Sequence, residues 1–437
     1  MANDRSLPDP VIVVPGITAT YLRDEYALPP EIVWSVLTKQ YDRFSLHPDD
    51  MRYESTEPAR VRPDQVFEVA YRELVQELRH NLSARDDQPV PVYPFGYDWR
   101  RPLKETEADL ARFIEEVIGR TALLRHYDKA GYADAPRVNL VGHSMGGLII
   151  AGCLQTKGAA ARVGKVATLA TPFRGSFEAV LRVAAGTANL GAGDASSRER
   201  EAARVTPSLY HLVPEFEGAL EIEGQGLPAS LFEPGLWQPS VVATIAEYVR
   251  RFGRDATGRA AQAAAIFAGM LQDAKEHRGR VEAFRLDAAG LTDKDWLCVV
   301  GVNSKTRVSL RIEADGGKPR FALDHEDREN QWEDGADAAA RTRTGDGTVP
   351  FLGAQPAFLA RENLVCVCPD DFGYWEVGDR VLAAAAGFHG ILPNMDLVHR
   401  MLVRHFTGRP DRHENTWGRP APGVTKPVWP LDMRVEG

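Results

Sequence analysis

One serine stands in a sequence setting that favours nucleophilic chemistry. Ser144 is the centre of a G-x-S-x-G motif that directly follows the apolar run Val138 to Val141 and directly precedes an apolar helical pattern. A serine on a sharp turn between a strand and a helix stands clear of the sheet, and flanking glycines let neighbouring backbone approach it closely. The helix N-terminus also places the Met145 N–H where negative charge develops on a tetrahedral intermediate. The motif therefore predicts Ser144 as a nucleophile and Met145 as an oxyanion donor.

A serine nucleophile needs a base that a carboxylate orients, and after a G-x-S-x-G turn these groups follow in the order Ser, acid, His. Asp346 lies between two glycines in the segment G-D-G-T-V-P, a turn able to project a side chain at a sheet edge. A turn aspartate that caps its own backbone, or a calcium loop, is the alternative interpretation. Because this turn holds a single carboxylate, calcium is disfavoured, and we predict Asp346 as the catalytic acid.

The C-terminal third supplies three candidate bases. His389 follows the apolar run Val381 to Phe388 and precedes G-I-L-P-N, so we expect it on a loop that leads into a helix. His399 and His405 are the alternatives, but both lie within the pattern of the last helix, where a histidine buried in the core is expected. Since the fold that carries a G-x-S-x-G turn presents its base on a loop after the last strand, we predict His389 as the general base.

Other segments are predicted to surround the nucleophile. The loop that follows the first apolar run should provide a second oxyanion donor; Ile17 N–H is the first choice, Gly16 N–H the second, and a plain tight turn the remaining interpretation. The Y-D-W-R-R segment places a carboxylate beside guanidinium groups, which favours a rigid ion pair near the pocket floor. The candidate pocket residues are Gly16, Thr18, Asp98, Trp99, Phe173 and Ile391.

The elements that must position these residues alternate between strands and helices. Short apolar runs typical of buried strands lie at Val11 to Val14, Val138 to Val141, Val166 to Ala170, Trp296 to Val300 and Leu364 to Val367. Helical periodicity is clearest at Phe67 to Leu82, Glu105 to Tyr127 and Gly390 to Phe406. The alternation predicts an α/β fold with a mostly parallel central sheet and flanking helices.

The alternation lapses in two places. Residues 18–63 read as loop. A long insertion at 174–293 contains a Gly/Ser/charge-rich stretch at Gly191 to Arg204 and an Ala-rich helical stretch at Val241 to Glu276, and its length predicts a cap or lid with its own small core. We therefore divide the chain into a first core part (1–173), the cap (174–293), a second core part (294–406) and an extended C-terminal tail (407–437).

Composition excludes several classes of function. The chain has 437 residues and a formal net charge of -9, so it lacks the clustered positive charge that a nucleic-acid partner requires. The first ten residues do not pair a basic start with an apolar run, and no later stretch approaches the ~20 apolar residues of a membrane span. We expect a soluble cytoplasmic protein without an integral membrane segment.

The four cysteines, two of them in a C-V-C pattern, suit core packing better than a disulfide scaffold or a zinc site. We therefore predict no metal or organic cofactor.

Taken together, these segments resemble a known family. The ordered set V-V-P-G (13–16), Y-D-W-R (97–100), G-H-S-M-G (142–146), G-D-G-T-V-P (345–350) and H-G-I (389–391) is similar to the lecithin:cholesterol acyltransferase family of α/β hydrolases, as a bacterial-type lipase or acyltransferase. The resemblance implies an α/β-hydrolase fold with an inserted lid and a Ser144, Asp346, His389 triad. It further implies small-molecule or lipid acyl esters as substrates, with water or an acceptor alcohol receiving the acyl group. The chain departs from the secreted members in having no cysteine between residues 18 and 63, where their lid disulfide lies.

Two other functions stay open at this point. The same triad serves lactonases, amidases and depolymerases that act on acyl compounds other than lipids. A catalytically silent hydrolase fold used for binding is the alternative outside enzymes, and the ordered Ser, Asp and His argue against it.

Overall fold

The computed structural model of the protein describes residues 7–35, 37–56, 58–186, 197–254, 257–324, 327–332 and 337–436. The strands within these residues are β1 (Val11–Val14), β2 (Thr20–Asp24), β3 (Glu31–Trp34), β4 (Val61–Val66), β5 (Val92–Pro94), β6 (Val138–His143), β7 (Val163–Leu169), β8 (Leu220–Glu223), β9 (Trp296–Gly301), β10 (Leu310–Asp315), β11 (Lys318–Phe321), β12 (Leu364–Val367), β13 (Trp417–Pro420) and β14 (Arg434–Val435). The α-helices are α1 (Tyr41–Phe44), α2 (Glu68–Leu82), α3 (Leu103–Ala122), α4 (Arg125–Lys129), α5 (Met145–Cys153), α6 (Lys157–Ala160), α7 (Phe177–Ala184), α8 (Ser197–Arg204), α9 (Pro207–Tyr210), α10 (Pro239–Phe252), α11 (Arg259–Glu282), α12 (Val377–Ala386), α13 (Phe388–Ile391) and α14 (Asp396–Thr407).

The central sheet has the strand order β14-β13-β12-β9-β7-β6-β1-β5. The six strands from β12 to β5 run parallel, and β13 pairs antiparallel with β12. Side chains of β1 alternate between two apolar clusters: Ile12 and Val14 face α3 and α5, whereas Val11 and Val13 face α2 and α14. Because both faces are covered, parallel strands read as continuous apolar runs. The predicted α/β fold with a mostly parallel sheet is confirmed, and all five predicted strands belong to this sheet.

Two predicted helices are interrupted. The stretch Glu105 to Tyr127 ends its first helix at Ala122 and starts a second at Arg125, because Leu124 takes an extended conformation with ψ of 123°. The stretch Gly390 to Phe406 divides into α13, a 3-10 turn at Leu392–Asn394 and α14. Pro393 lies in that turn, and since proline lacks an N–H it cannot continue an α-helical hydrogen-bond ladder.

Residues 18–63, expected to be a loop, contain strands. β2 pairs antiparallel with β3 on one side and with β4 on the other, which makes a separate three-stranded sheet. The loop prediction was wrong because β2 is short and only half-buried, and because β4 contains Pro63, which argues against a strand. Proline is tolerated here since β4 lies at the edge of the sheet.

Within the insertion, Tyr210, Trp237 and Phe267 are in mutual edge-to-face ring contact, and they belong to the same apolar cluster as Ile12 and Val14 of the central sheet. Its Ala-rich stretch forms the paired helices α10 and α11, separated after Gly253. Within the Gly/Ser/charge-rich stretch, residues 191–196 lie outside the described residues, and Ser197–Arg204 is the helix α8. β8 pairs with β10, so the cap's small sheet takes strands from residues 310–321, beyond the boundary drawn at 293.

The C-terminal tail follows the edge of the central sheet. β13 pairs with β12 and β14 with β13, and the Trp429 indole N–H donates to the Leu364 carbonyl at 2.9 Å. All four cysteines are buried and unpaired, and Cys366 and Cys368 lie in the same apolar cluster. Across the described part of the chain, no helix combines the length and the apolar character that crossing a bilayer requires.

Candidate active site

The turn between β6 and α5 holds Ser144 in a strained backbone conformation. Its φ of 54° and ψ of -128° lie outside the regions that L-residues favour, and its N–H donates to the Leu169 carbonyl at 2.9 Å. A Cβ added to Gly142 would lie 2.7 Å from the Gly147 nitrogen, and one added to Gly146 would collide with the Val14 carbonyl oxygen. The two glycines of the motif are therefore required by backbone packing around the serine.

Three side chains from distant parts of the chain meet at this turn. His389 Nε2 lies 2.9 Å from Ser144 Oγ, and His389 Nδ1 lies 2.7 Å from Asp346 Oδ2. The structure thus brings together all three residues predicted as nucleophile, base and acid. His389 lies in the short helix α13, directly after Gly387, where the sequence predicted a loop.

The Asp346 carboxylate is held by its own turn. Its Oδ1 accepts the N–H groups of Thr348 and Val349 at 2.9 and 2.7 Å, which leaves Oδ2 directed at the histidine. Because a carboxylate only accepts hydrogen bonds, His389 Nδ1 carries the proton and its Nε2 lone pair faces the serine hydroxyl. Asp346 is 1% exposed and the His389 side chain 12% exposed, so water has little access to the pair.

The two alternative histidines lie elsewhere and are bonded to backbone. His399 Nε2 donates to the Pro393 carbonyl at 2.8 Å, and His405 Nε2 donates to the Val166 carbonyl at 3.0 Å. Burial lowers the pKa of both, in the case of His405 to about 3. Both are neutral core histidines at physiological pH, as expected for that helix.

The loop after β1 lies against the nucleophile. A Cβ added to Gly16 would lie 3.0 Å from Ser144 Cβ. The Gly16 N–H donates to Tyr71 Oη at 2.9 Å, whereas the Gly16 carbonyl is 3.4 Å from the Ala19 nitrogen. Since its N–H has a protein acceptor, Gly16 is the poorer of the two candidate oxyanion donors, and Ile17 is the better one.

A narrow apolar cavity adjoins this loop. Its volume of about 30 Å³ has room for little more than a water molecule. Burial raises the pKa of Glu199, a wall residue, and the neighbouring Arg182 opposes that shift. The lining residues are Ile17, Thr18, Trp34, Tyr41, Phe44, Trp99, Arg182, Glu199, Ala202, Ala203, Thr206 and Leu209.

The predicted pocket residues are placed in different ways. Thr18 and Trp99 line the cavity. Asp98 forms the predicted bidentate pair with Arg100, at 2.8 and 2.7 Å, and burial and this guanidinium act in opposite directions on the Asp98 pKa, which is lowered overall. Phe173 and Ile391 are buried in the two apolar clusters of the core and are absent from the cavity lining.

The model of the lecithin:cholesterol acyltransferase family matches residues 62–229, a stretch that includes the Y-D-W-R segment and the nucleophile turn. The resemblance to this family is confirmed. Asp346 and His389 lie outside the lecithin:cholesterol acyltransferase match, so their place beside Ser144 rests on the geometry. No curated protein matches the chain in sequence.

Among solved structures, one from the Tle4–Tli4 complex is 16% identical, with a TM-score of 0.53 over 80% of this chain and 89% of that one. At this identity the likeness shows the fold, which is that of the α/β hydrolases. The mature Bacillus licheniformis lipase BlEst2 is 14% identical over 57% of this chain and 76% of that chain, with a TM-score of 0.23. The family match and the shared fold support a lipase- or acyltransferase-like hydrolase.

Several residues of the site escaped sequence reasoning. Tyr71 and His143 are hydrogen-bonded to each other beside Ser144, yet Tyr71 is one apolar position of a helix and His143 occupies a variable position of the motif. The cap wall of the cavity, Ala202 to Leu209, comes from a charged, Ala-rich stretch with no distinguishing motif. Only the structure shows that Tyr71 lies beside the nucleophile turn and that the cap residues adjoin the loop of Ile17 and Thr18.

Proposed function

We propose that the protein cleaves acyl esters through a covalent acyl-enzyme on Ser144 and passes the acyl group to water or to an acceptor alcohol. The observation that carries this proposal is the hydrogen-bonded series Ser144 Oγ, His389, Asp346, at 2.9 and 2.7 Å. Such a series is what serine nucleophiles require for activation at neutral pH.

In the first half-reaction His389 Nε2 takes the Ser144 proton as Oγ attacks the ester carbonyl. The buried carboxylate of Asp346 stabilises the imidazolium that forms. The N–H groups of Met145 and Ile17 hold the oxyanion, and the charge benefits from the N-terminus of α5. His389 then protonates the departing alkoxide, and the alcohol leaves.

In the second half-reaction the same base activates the acceptor. Water or an alcohol takes the place of the leaving group, His389 removes its proton, and the tetrahedral intermediate collapses to release Ser144. Hydrolysis and transfer differ only in which acceptor reaches the acyl-enzyme. The acceptor's identity thus depends on the cap, since the core residues do the same work in both cases.

A fluorophosphonate probe tests the proposal directly. We expect stoichiometric labelling of the wild type at Ser144 and none in Ser144→Ala, whose ester turnover should fall on the order of a millionfold. Ser83→Ala is a matched control, because Ser83 directly follows α2 and its hydroxyl bonds only backbone groups, the Arg79 carbonyl and the Val90 N–H. An unlabelled wild type would favour the silent binding module, and near wild-type turnover by Ser144→Ala would refute the mechanism.

A panel of esters, lactones and amides separates the remaining enzyme classes. The apolar cavity beside Ile17 supports an aliphatic or aromatic acyl group. We therefore expect esters of apolar acids to be turned over faster than esters of polar acids with the same alcohol. A preference for cyclic or polar acyl compounds would instead favour the lactonase or depolymerase alternative.

A further inference from the structure

Two buried tyrosines hold a single peptide unit of the loop beside the nucleophile. Tyr97 Oη donates to the Pro15 carbonyl at 2.9 Å, and the N–H of the same peptide, that of Gly16, donates to Tyr71 Oη at 2.9 Å. Tyr97 and Tyr71 are 2% and 3% exposed. They belong to the two apolar clusters on opposite faces of the central sheet, so the peptide is gripped from both sides. We call Tyr71, Tyr97 and the Pro15–Gly16 peptide the peptide clamp.

The direction of each hydrogen bond in the clamp follows from its neighbour His143. His143 Nε2 lies 3.0 Å from the His389 carbonyl, which can only accept, so Nε2 carries the proton. Burial, reinforced by the nearby His389, holds the pKa of His143 well below its usual value, so the ring is neutral and Nδ1 is an acceptor. Tyr71 Oη lies 2.6 Å from Nδ1 and therefore donates its proton there.

As a result, Tyr71 Oη can only accept a hydrogen bond from the loop. With its proton committed to His143, Tyr71 Oη accepts the Gly16 N–H, and burial raises the pKa of Tyr71, which keeps the phenol protonated. An unbroken series of hydrogen bonds thus runs from Gly16 through Tyr71 and His143 to the backbone of His389. The series joins the loop that carries Ile17 to the residue that carries the base.

We propose that Tyr71 is a positioning residue that, with Tyr97, orients the Pro15–Gly16 peptide and thereby aims the next N–H, that of Ile17, at the developing oxyanion. The orientation of one peptide plane constrains the next, and the Gly16 carbonyl is itself directed toward the Ala19 nitrogen. Ile17 N–H, on the opposite side of that second peptide, is the donor left for the substrate. The inference rests on the proposed function. It adds that the two tyrosines orient the oxyanion donor before substrate binds.

Tyr71→Phe tests the clamp because it removes one hydroxyl and keeps the ring. We expect kcat for a simple ester to fall about tenfold to a hundredfold, as for a misplaced oxyanion donor, with KM changed less than about twofold. The end point of phosphonate labelling should stay at one per chain, which shows that the remaining rate comes from a fully folded population.

Tyr127→Phe is the matched control. Tyr127 is also a buried tyrosine whose hydroxyl donates to a carbonyl, that of Pro8 at 2.7 Å, but it lies on α4 away from Ser144. Loss of the Tyr127 hydroxyl should leave kcat unchanged. Tyr97→Phe removes the other end of the clamp and should also lower kcat. The Tyr71→Phe/Tyr97→Phe double variant should lose less than the product of the two single losses, since both act on one peptide.

Several results would overturn the clamp. These are an unchanged kcat in a folded Tyr71→Phe protein, a loss confined to KM, or a loss that matches a reduced labelling end point. Should Tyr71→Phe not fold, Tyr97→Phe carries the same test, and failure of both to fold would assign the tyrosines to stability alone. A wild type that takes no phosphonate label refutes the proposed function itself, whereas a labelled, active wild type with an unaffected Tyr71→Phe refutes only the clamp.

Discussion

Replacing Asp346 by Asn changes one oxygen to an amide nitrogen at the point where the structure decides which way the histidine proton faces. In the wild type, Oδ1 accepts two backbone N–H groups, from Thr348 and Val349, and Oδ2 accepts the His389 Nδ1 proton. An asparagine must keep its oxygen on the two backbone donors, because turning its NH2 toward them would set donor against donor. The amide NH2 therefore points at His389 Nδ1.

The consequence for catalysis follows from the proton count on the imidazole. Facing a donor, Nδ1 becomes the acceptor, and the single proton of neutral His389 moves to Nε2. Nε2 then points an N–H at Ser144 Oγ, 2.9 Å away, and cannot take the serine proton. A wrong tautomer of this kind costs on the order of 10⁴ in kcat, which corresponds to about 5–6 kcal/mol of transition-state stabilisation. The fold should tolerate the change, since side-chain volume and the backbone hydrogen bonds are retained.

The assay is single-turnover and steady-state hydrolysis of a p-nitrophenyl ester, with KM expected to change little. Asp411→Asn is the control. Asp411 also caps backbone, through the N–H groups of Asn415 and Thr416, but lies in the C-terminal tail. It should retain wild-type kcat. A kcat for Asp346→Asn within about tenfold of the wild type would refute the assignment of acid and tautomer.

Three further outcomes are expected. Ala203→Leu, in the wall of the cavity, should lower kcat/KM for a decanoyl ester relative to an acetyl ester at least about tenfold, and equal losses for the two esters would contradict it. Arg204→Met should lower the free energy of unfolding by about 2–4 kcal/mol in urea titrations, since it removes the hydrogen bonds that the guanidinium donates to the Val183 and Ser240 carbonyls and to Thr244 Oγ1, and a change under about 0.5 kcal/mol would contradict that. Burial lowers the pKa of His405 to about 3, so as pH falls below ~6.5 the unfolded chain binds this proton before the folded chain does. The free energy of unfolding should therefore decrease by roughly 2–3 kcal/mol between pH 7 and pH 4.5. His405→Gln should remove that part of the pH dependence of Tm, and an identical Tm profile would contradict the assignment.

The parts of the fold that sequence predicted well are those where burial on both faces leaves a plain pattern. β1, β6 and β9 are fully buried and read as continuous apolar runs. β2 was missed because it is short and half-buried, and β4 because an edge strand admits polar residues and even Pro63. The interruption near Pro393 was visible in the sequence, yet the apolar periodicity on either side of it favoured one continuous helix.

The residues of the site likewise differ in how well sequence predicts them. Ser144, Asp346 and His389 each sit in a short motif, because a strained turn and a projecting carboxylate demand glycine and proline neighbours. The positions of Tyr71 and of the cap residues of the cavity require no particular residue type next to them in sequence. They reach the site through packing over long sequence separations, and Tyr71 is 72 positions from its partner His143. Local sequence therefore indicates the reacting groups better than it indicates the groups that orient them.

The cavity beside Ile17 has two walls, and the contacts that hold each wall bear on which acyl groups we expect the protein to accept. The core wall includes Trp99 and Phe44, and the buried Arg100 anchors it by donating to the Phe44 carbonyl at 2.6 Å and to Glu54 at 3.1 Å. The opposite wall is α8, a cap helix that presents the small side chain of Ala203. A space of about 30 Å³ cannot take an acyl chain unless the walls separate. Moving the core wall would break a buried ion pair, and moving α8 would break the hydrogen bonds that its Arg204 donates to the Val183 and Ser240 carbonyls, so we expect a long acyl chain to enter only if one of these two anchors yields.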